Sequence, residues 1–215
     1  MSAQVEQMYS VRQTPWHRQG VVVSEYPGSW AEARKLAGLD WDAITEPVYG
    51  LSGIDENGAL IYSAIEGHNQ IVRSDTGKTL SVVSDTYAVI DHADMGEIVE
   101  AVLRQDNVRY ETAGVLDEGR AVWCLALLDE PIHLPGDDTT VTYPYLAITN
   151  RHDGAGACSL RATAVRIVCM NTWHAADMDA TRKGSSFSFK HTKNWRDRVE
   201  DAKTALATTQ ESIDH

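Results

Sequence analysis

The sequence predicts a single α+β domain in which an antiparallel β-sheet meander carries helices on one face. Short apolar runs separated by turn residues fill residues 43–90 and 108–149, and their spacing is too short for β-α-β units. A chain of 215 residues that is 43% hydrophobic is long enough to bury one core. We predict an N-terminal arm over residues 1–27, a core domain over 28–194 and a C-terminal helix over 195–215.

The N-terminal arm is polar apart from a few apolar residues around Trp16 and Val21–Val23. Such an arm is typical of a strand added to the edge of a sheet, either its own or that of a neighbour. Ser29 then caps a short helix from Trp30 to Leu36, which ends at Gly38. Large aromatic side chains in and after such a helix are interpreted as core residues.

Turn residues divide the segment after this helix into short strands. Asn57-Gly58 is a strong hairpin signal, and Asp75-Thr76-Gly77 is a second turn. The predicted strands are Ala43–Tyr49, Ala59–Glu66, His68–Arg73, Leu80–Val83 and Tyr87–Ile90.

A helix follows these strands, and more strands follow the helix. Asp91 caps a predicted helix over Met95–Arg104, whose apolar stripe faces the sheet. Strands over Val108–Val115 and Arg120–Leu128 flank a turn, and Cys124 in the second is a small core residue. A loop over Pro131–Thr140 and a strand over Val141–Thr149 complete this part; Asp137 and Asp138 in the loop lack the convergent oxygens of a metal site.

The C-terminal quarter mixes helical and strand patterns. Helical spacing of apolar residues predicts a helix over residues 162–176. Phe187 and Phe189 alternate with polar residues, as in a half-buried strand over Ser185–Lys190. Thr192 caps a final helix from Trp195 to about Ile213, whose thin apolar stripe suggests continuation in a longer protein or packing on a partner.

Charge is segregated along the chain. Residues 1–150 carry nine Lys and Arg against 23 Asp and Glu, whereas residues 151–198 carry nine against four. A net charge of −12 argues against general nucleic-acid binding, but the basic segment has the charge of a phosphate-binding surface. Equally, it could be a solvated surface or dock on the acidic part of a neighbouring subunit.

Two chemical interpretations use His and Cys side chains. A cysteine nucleophile would be Cys158 or Cys169, with His152 or His174 as base and Asn171 as the orienting residue. A glycine-rich turn at residues 152–156 lacks the lysine of a phosphate-binding loop. The possible zinc ligands include no Cys-x-x-Cys pair. From these interpretations together, we predict no metal, no cofactor and no catalytic residue. The zinc set would be His152, Cys158, Cys169, His174 and His191.

Binding is the remaining interpretation. Basic side chains could line a groove in which Trp173, His174 or Phe187 stacks on bases, as in proteins that hold single strands without reading sequence. The same arginines could instead pair with the acidic first half, and the aromatic residues could be core. The predicted nucleic-acid-binding residues are Arg151, His152, Arg161, Arg166, Lys190, Lys193 and Arg196.

Seven motifs together resemble one family. The most specific are Val165–Thr172 (Val-Arg-Ile-Val-Cys-Met-Asn-Thr) and Lys190-His191-Thr192. The chain resembles, over roughly residues 10–205, a phage- and plasmid-borne family catalogued as domain of unknown function 932. This resemblance implies a mobile-element setting but no particular reaction. The other motifs are Trp41-Asp42, Ser84–Tyr87, Tyr110–Gly114, Gly119–Trp123 and Thr149–Gly154.

A second resemblance concerns topology. Several strands followed by a helix over residues 59–104 are similar to the β-β-β-α core of Rad52-type single-strand annealing proteins, which is an analogy of fold alone.

We therefore expect a phage- or plasmid-borne protein of DNA metabolism that binds single-stranded DNA through residues 151–198, as a homo-oligomer, in annealing or recombination. One alternative is a non-enzymatic accessory or host-modulating factor that self-assembles or binds proteins, and another is an enzyme of unrecognised class. The chain has no apolar run of about 18 residues, no signal-peptide pattern and an odd count of three cysteines. These features favour the cytoplasm of a bacterial host.

Overall fold

Two main β-sheets and their helices build the structure, a computed structural model that describes residues 5–13, 20–103, 108–127, 132–134, 137–163, 178 and 186–204. Mixed strands and helices confirm the predicted α+β class. Among the described residues, no helix is long and apolar enough to cross a membrane.

The large sheet has seven strands. Its spatial order is β12-β11-β10-β7-β6-β1-β2, and every neighbouring pair is antiparallel except β1 with β2. The N-terminal strand β1 therefore lies inside the sheet, and β2 forms the edge. In chain order the strands are β1 (Val5–Val11), β2 (Val21–Val23), β6 (Arg109–Leu116), β7 (Ala121–Leu127), β10 (Tyr145–Arg151), β11 (Cys158–Thr163) and β12 (Ser186–Phe189).

The central strand β7 is apolar throughout because side chains on both of its faces are buried. Val122, Cys124 and Ala126 face the helices, whereas Trp123 and Leu125 belong to a second core cluster on the other side. The continuous apolar run in the sequence follows from this two-sided burial. The prediction that Cys124 is a core residue is confirmed.

Two helices pack on the first face. Helix α1 (Trp30–Ala37) begins where the Ser29 hydroxyl accepts the Glu32 N–H (3.2 Å), and it ends at Gly38 in the left-handed region, as predicted. Helix α2 (His92–Leu103) buries Met95, Ile98 and Val99. The Trp30 indole N–H donates to the His92 carbonyl (2.6 Å) and thereby joins the two helices.

A separate three-stranded sheet has the order β3-β4-β5. It consists of β3 (Ala43–Ile54), β4 (Leu60–Arg73) and β5 (Thr79–Ser84). The Asn57-Gly58 hairpin turn joins β3 to β4 as predicted, and the Asp75–Gly77 turn joins β4 to β5. Trp41, Ile71, Leu80 and Val83 form the small core beneath this sheet.

Several strand boundaries differ from the prediction. The runs Ala59–Glu66 and His68–Arg73 are one strand, because the irregularity between them does not end the pairing with β3. Tyr87–Ile90 is not a strand; instead, the Ala88 N–H donates to the His191 carbonyl. The predicted loop over Pro131–Thr140 is wrong, since β8 (Ile132–Leu134) and β9 (Asp137–Thr142) pair as a hairpin.

Part of the C-terminal prediction falls outside the described residues. This concerns most of the helix expected over residues 162–176, with Arg166 and the motif at 165–172, and the end of the final helix. In the described part, a 3₁₀ turn at Trp195–Asp197 leads into a helix over 198–204. The half-buried strand around Phe187 and Phe189 is confirmed as β12.

The close approach of β1, β6 and β7 at Gly114 gives a stability prediction. A Cβ there would lie 2.3 Å from Trp123 Cη2 and 2.7 Å from the Gln7 carbonyl oxygen, so Gly114→Ala overpacks the sheet. We expect a loss of about 1–3 kcal/mol in the free energy of unfolding. Gly53→Ala is the control, because no atom lies within 4 Å of its added Cβ. Equal urea midpoints for the two variants would contradict this packing.

Candidate functional site

Three histidines meet where the large sheet joins the three-stranded sheet. His92 begins α2, His152 follows β10 and His191 follows β12, and all three side chains are buried. Trp41 and Tyr87 line the same place. The group is called the histidine cluster below; it draws on five separate segments of the chain.

Hydrogen bonds order the rings of the histidine cluster. His92 Nδ1 lies 2.9 Å from the Trp41 carbonyl oxygen, and His92 Nε2 lies 3.1 Å from His152 Nε2. A carbonyl oxygen only accepts, so the proton of neutral His92 is assigned to Nδ1. His152 Nε2–H then donates to His92 Nε2, which leaves a lone pair on His152 Nδ1.

Aromatic contacts complete the packing around these rings. Trp41 meets His92 edge-on, with 4.2 Å between ring centroids, and Tyr87 stacks on His191 at 4.5 Å. Imidazole rings held between aromatic side chains are screened from water, so the cluster has the character of a dry polar core.

Two ring nitrogens of the cluster have no hydrogen-bond partner among the described residues. They are His152 Nδ1 and His191 Nε2. His191 Nδ1 is 3.1 Å from the Ala88 carbonyl oxygen and donates to it, so His191 Nε2 also carries a lone pair. The cluster therefore exposes two acceptor nitrogens to the interior.

Burial keeps the cluster neutral at pH 7. It lowers the pKa of His92 to about 4. Burial, with the neighbouring His92 and His191 rings, holds the pKa of His152 well below its ordinary value, and burial also lowers the pKa of His191. Removing the imidazolium form from water is the shared cause.

Hydrogen bonds from side chains to backbone carbonyls tie the end of β10 to the three-stranded sheet and to the segment before α2. The Ser81 hydroxyl donates to the His152 carbonyl (2.6 Å), and the Tyr87 hydroxyl donates to the Arg151 carbonyl (3.0 Å). The Asn150 side-chain amide donates to the Ile90 carbonyl (2.7 Å). The motif Thr149–Gly154 thus holds the two sheets together.

Zinc binding and a cysteine nucleophile are the two chemical interpretations that the sequence offers for side chains near the cluster. No three His, Cys, Asp or Glu side chains in the described part of the chain are placed to hold a metal ion. Cys158 is buried, and burial raises the pKa of its thiol, which disfavours the thiolate of a nucleophile. Cys169 and His174 lie outside the described residues. The arrangement supports a structural junction.

The predicted nucleic-acid-binding residues occupy three different environments. His152 is in the interior, as part of the histidine cluster. Arg151 is half-buried and forms an ion pair with Asp153. Arg161 Nη1 donates to the Thr149 hydroxyl (3.0 Å). Arg166 is not described, and the exposed members are Lys190, Lys193 and Arg196.

The structure does not bring Arg161 to the same face as Arg196. Leu160 on β11 belongs to the core under the helices, so Arg161, its neighbour in the strand, faces the opposite side of the sheet. Trp195 packs into the helix-side core, and Arg196 pairs with Asp94 of α2. The basic residues therefore divide between the two faces.

Sequence reasoning missed the role of Trp41, Tyr87 and His92. Trp41 and Tyr87 lie in two of the motifs that carried the family resemblance, and the other motif residues nearby are His152 and His191. Motifs far apart in sequence that each hold an aromatic or imidazole ring are a signal for a common site. His92 had no such signal.

Comparison with known proteins gives one match. A family model described as domain of unknown function (DUF932) matches residues 79–215. The matched part contains His92, His152 and His191, but it starts after Trp41 and after β3 and β4. No curated protein and no solved structure matches the chain significantly.

The neutral cluster predicts a pH-dependent stability. The ordinary histidine pKa is about 6.5, and the folded values are lower, so below that pH the unfolded state binds more protons. The free energy of unfolding should fall from pH 7 to pH 5, by up to about 1.4 kcal/mol per pH unit for each histidine.

A variant separates this effect from other acid effects. His152→Gln keeps an N–H donor toward His92 and removes one titrating ring, so urea unfolding at pH 7, 6 and 5 should show a shallower slope. The exposed His68→Gln is the matched control and should keep the wild-type slope. An unchanged slope in His152→Gln would show that this imidazole does not titrate on unfolding.

Proposed function

The chain belongs to the family described as domain of unknown function DUF932, and from this premise we propose that it is a phage- or plasmid-borne, non-catalytic protein of DNA metabolism. In this proposal it binds single-stranded DNA through an exposed basic segment and acts in annealing or recombination. The family description names no activity, so the support comes from the chain's own surface.

The supporting observation is the charge of residues 190–198, called the basic segment below. It holds four exposed cations and one acid, Asp197, on a chain whose net charge is −12. Phosphate contacts supply most of the affinity of sequence-independent binding, and exposed Lys and Arg are the side chains that make them. The four cations are Lys190, Lys193, Arg196 and Arg198.

Two of these cations are available without breaking an ion pair. Lys190 and Lys193 have no ion-pair partner in the described part of the chain, whereas Arg196 pairs with Asp94 and Arg198 pairs with Asp201. Exposed ion pairs are weak, so a phosphate can compete for both guanidinium groups. The lysines are therefore the first expected contacts.

An aromatic side chain beside the basic segment offers a stacking surface. The Arg198 guanidinium lies 5.3 Å from the centroid of the half-buried Phe187 ring. Guanidinium and aromatic planes both stack on bases, and this contact tolerates any sequence. Trp195 is buried under the Arg196 guanidinium at 4.3 Å and remains a core residue.

The proposal adjusts the contact set expected from sequence. His152 is buried and leaves the set, and Arg198 enters it. Arg151 is bound to Asp153, and Arg161 is bound to Thr149. They contribute to the electrostatic potential at this end of the sheet, but we do not assign them to the first contacts with DNA.

A second candidate function is a self-assembling or protein-binding accessory factor of a mobile element. The observation that favours it is the row of exposed apolar side chains on the long hairpin of β3 and β4. Assembly and DNA binding use different surfaces, so one chain can have both.

The DNA proposal predicts steep salt dependence. Fluorescence anisotropy of a labelled single-stranded oligonucleotide should show binding that weakens several-fold or more between about 50 and 200 mM salt. Lys190→Ala with Lys193→Ala should weaken binding and reduce the slope of log K against log salt by about 1.4, or about 0.7 per lost phosphate contact.

The matched control is Lys35→Ala with Lys78→Ala, which removes two lysines outside the basic segment. This pair should bind as the wild type does. Absence of binding at micromolar protein in low salt would overturn the proposal, and an equal loss in the control pair would overturn the assignment to the basic segment.

A further inference from the structure

The paired ends of β3 and β4 extend beyond the three-stranded sheet. Strand β5 pairs with β4 only from His68 to Val72, so the part of the hairpin from Tyr49 to Ala64 has no third strand among the described residues. This part is called the distal hairpin. Two-stranded hairpins are marginally stable in water unless a further surface covers them.

An irregularity separates the distal hairpin from the rest of the sheet. The register moves from Pro47 opposite Asn69 to Tyr49 opposite Ala64, so β4 contributes extra residues there, including Gly67 in the left-handed region. The strand bends at such a site. The distal hairpin is therefore a distinct unit in which the burial seen at Ile71 and Val72 has ended.

The register sorts the side chains of the distal hairpin by face. Residues directly opposite each other share a face, which places the pairs Tyr49 with Ala64, Leu51 with Tyr62 and Ile54 with Leu60 on one side. The five large side chains of this set are between 53% and 64% exposed. They form the apolar face, and it carries no charge.

The other face carries glycines, serines and two isoleucines, Ile61 and Ile65, which are each 46% exposed. Gly50 lies opposite Ser63, and Gly53 lies opposite Ile61. The Ser63 hydroxyl donates to the Ser52 hydroxyl (2.9 Å), which donates to the Ile61 carbonyl (3.1 Å). One face of the hairpin therefore presents five large apolar side chains and the other presents two, and both faces are exposed to water in the isolated chain.

The apolar face is large enough to be an interface. Two tyrosines and three aliphatic residues exposed by more than half present on the order of 500 Å² of apolar surface, which is at the upper end of what a monomer leaves uncovered. With its polar rim, such a face approaches the roughly 800 Å² per partner of a stable protein interface.

We propose that the apolar face docks on the same face of a second copy of this chain, in a two-fold symmetric dimer. A surface of matching size and chemistry is needed. In the described part of the chain, the other large exposed apolar side chains either are dispersed or, as for Ile61 and Ile65, lie on the opposite face of the hairpin. Among the described residues, no surface other than the distal hairpin supplies an equal face, so we take a second copy of the hairpin as the partner. The dispersed residues are Val21, Val22, Ile44, Val82, Tyr143 and Met178.

The acidic side chains of the hairpin repel those of a second copy in either orientation of a dimer. Residues 43–72 contain four acids and no Lys or Arg. Asp55 and Glu56 lie at the turn, and Glu46 and Glu66 lie toward the base. An antiparallel arrangement separates the two turns by roughly 20 Å, or six residues at about 3.3 Å each, which exceeds the screening length of about 8 Å. A parallel arrangement would put four turn carboxylates together.

The antiparallel dimer has an unusual salt dependence. Each turn lies near the acidic base of the partner hairpin, so the rim is repulsive and the centre is apolar. Salt screens the repulsion and leaves the apolar contact, so dimerisation should strengthen as salt rises. Docking of the acidic hairpin on a basic surface would weaken instead.

Sedimentation equilibrium of the full chain at about 50 and 500 mM sodium chloride tests the proposal. We expect a dimer whose dissociation constant is lower at the higher salt concentration. Leu51→Ser with Tyr62→Ser removes two central apolar side chains and should raise the dissociation constant at least about 100-fold.

The control uses the opposite face of the same hairpin. Ile61→Ser with Ile65→Ser changes two residues of similar exposure and should keep the wild-type dimer. A wild-type monomer at about 100 μM, an equal loss in both pairs, or a dimer that dissociates as salt rises would overturn the two-fold contact.

Cross-linking gives a measurement that does not depend on weakening the dimer. Leu51→Cys, near the centre of the apolar face, should form an intermolecular disulfide on mild oxidation, whereas Ser63→Cys on the other face should not. Cys124 and Cys158 are buried, and both variants carry Cys169→Ser because Cys169 lies outside the described residues. Equal cross-linking of the two variants would overturn the assigned face.

Discussion

The architecture depends on a junction at which buried polar groups hold two sheets together. The hydrogen bond between His92 and His152 is part of this junction. A polar group removed from water costs free energy unless a partner replaces the lost hydrogen bonds. Here His92 Nδ1 has the Trp41 carbonyl and Nε2 has His152, so α2, β10 and the segment before β3 are held in one arrangement. Apolar packing alone would fix these positions less uniquely.

The junction also fixes the base of the long hairpin. Arg73 at the end of β4 lies over the Trp41 ring at 4.3 Å and forms ion pairs with Asp75 and Glu6. Its guanidinium is largely buried, so these contacts are less screened than surface pairs. Because Trp41 also contacts His92, the base of β4 and the start of α2 share one anchor, and the distal hairpin extends from a fixed root.

Features of the fold that depend on a short stretch of sequence could be predicted from that stretch. The cap at Ser29, the left-handed Gly38, the Asn57-Gly58 turn and the two-sided burial of β7 each depend on a few neighbouring residues, and the sequence shows them. The histidine cluster depends on which distant segments meet, and spacing along the chain carries no such information. For the same reason a sequence pattern could not show that His152 is interior while Lys190, which follows another strand of the same sheet, is exposed.

Segregated charge connects the two proposed surfaces. The distal hairpin is acidic and apolar, and the basic segment is on another part of the chain, so neither proposed contact covers the other. Four cations are few for tight binding to a polyanion, since each phosphate contact contributes modestly and salt weakens all of them. A two-fold dimer carries two basic segments, and binding of the first raises the effective concentration of the second along the same strand. The net charge of −12 lowers the affinity of a single chain for DNA, and assembly through an apolar face would then raise that affinity.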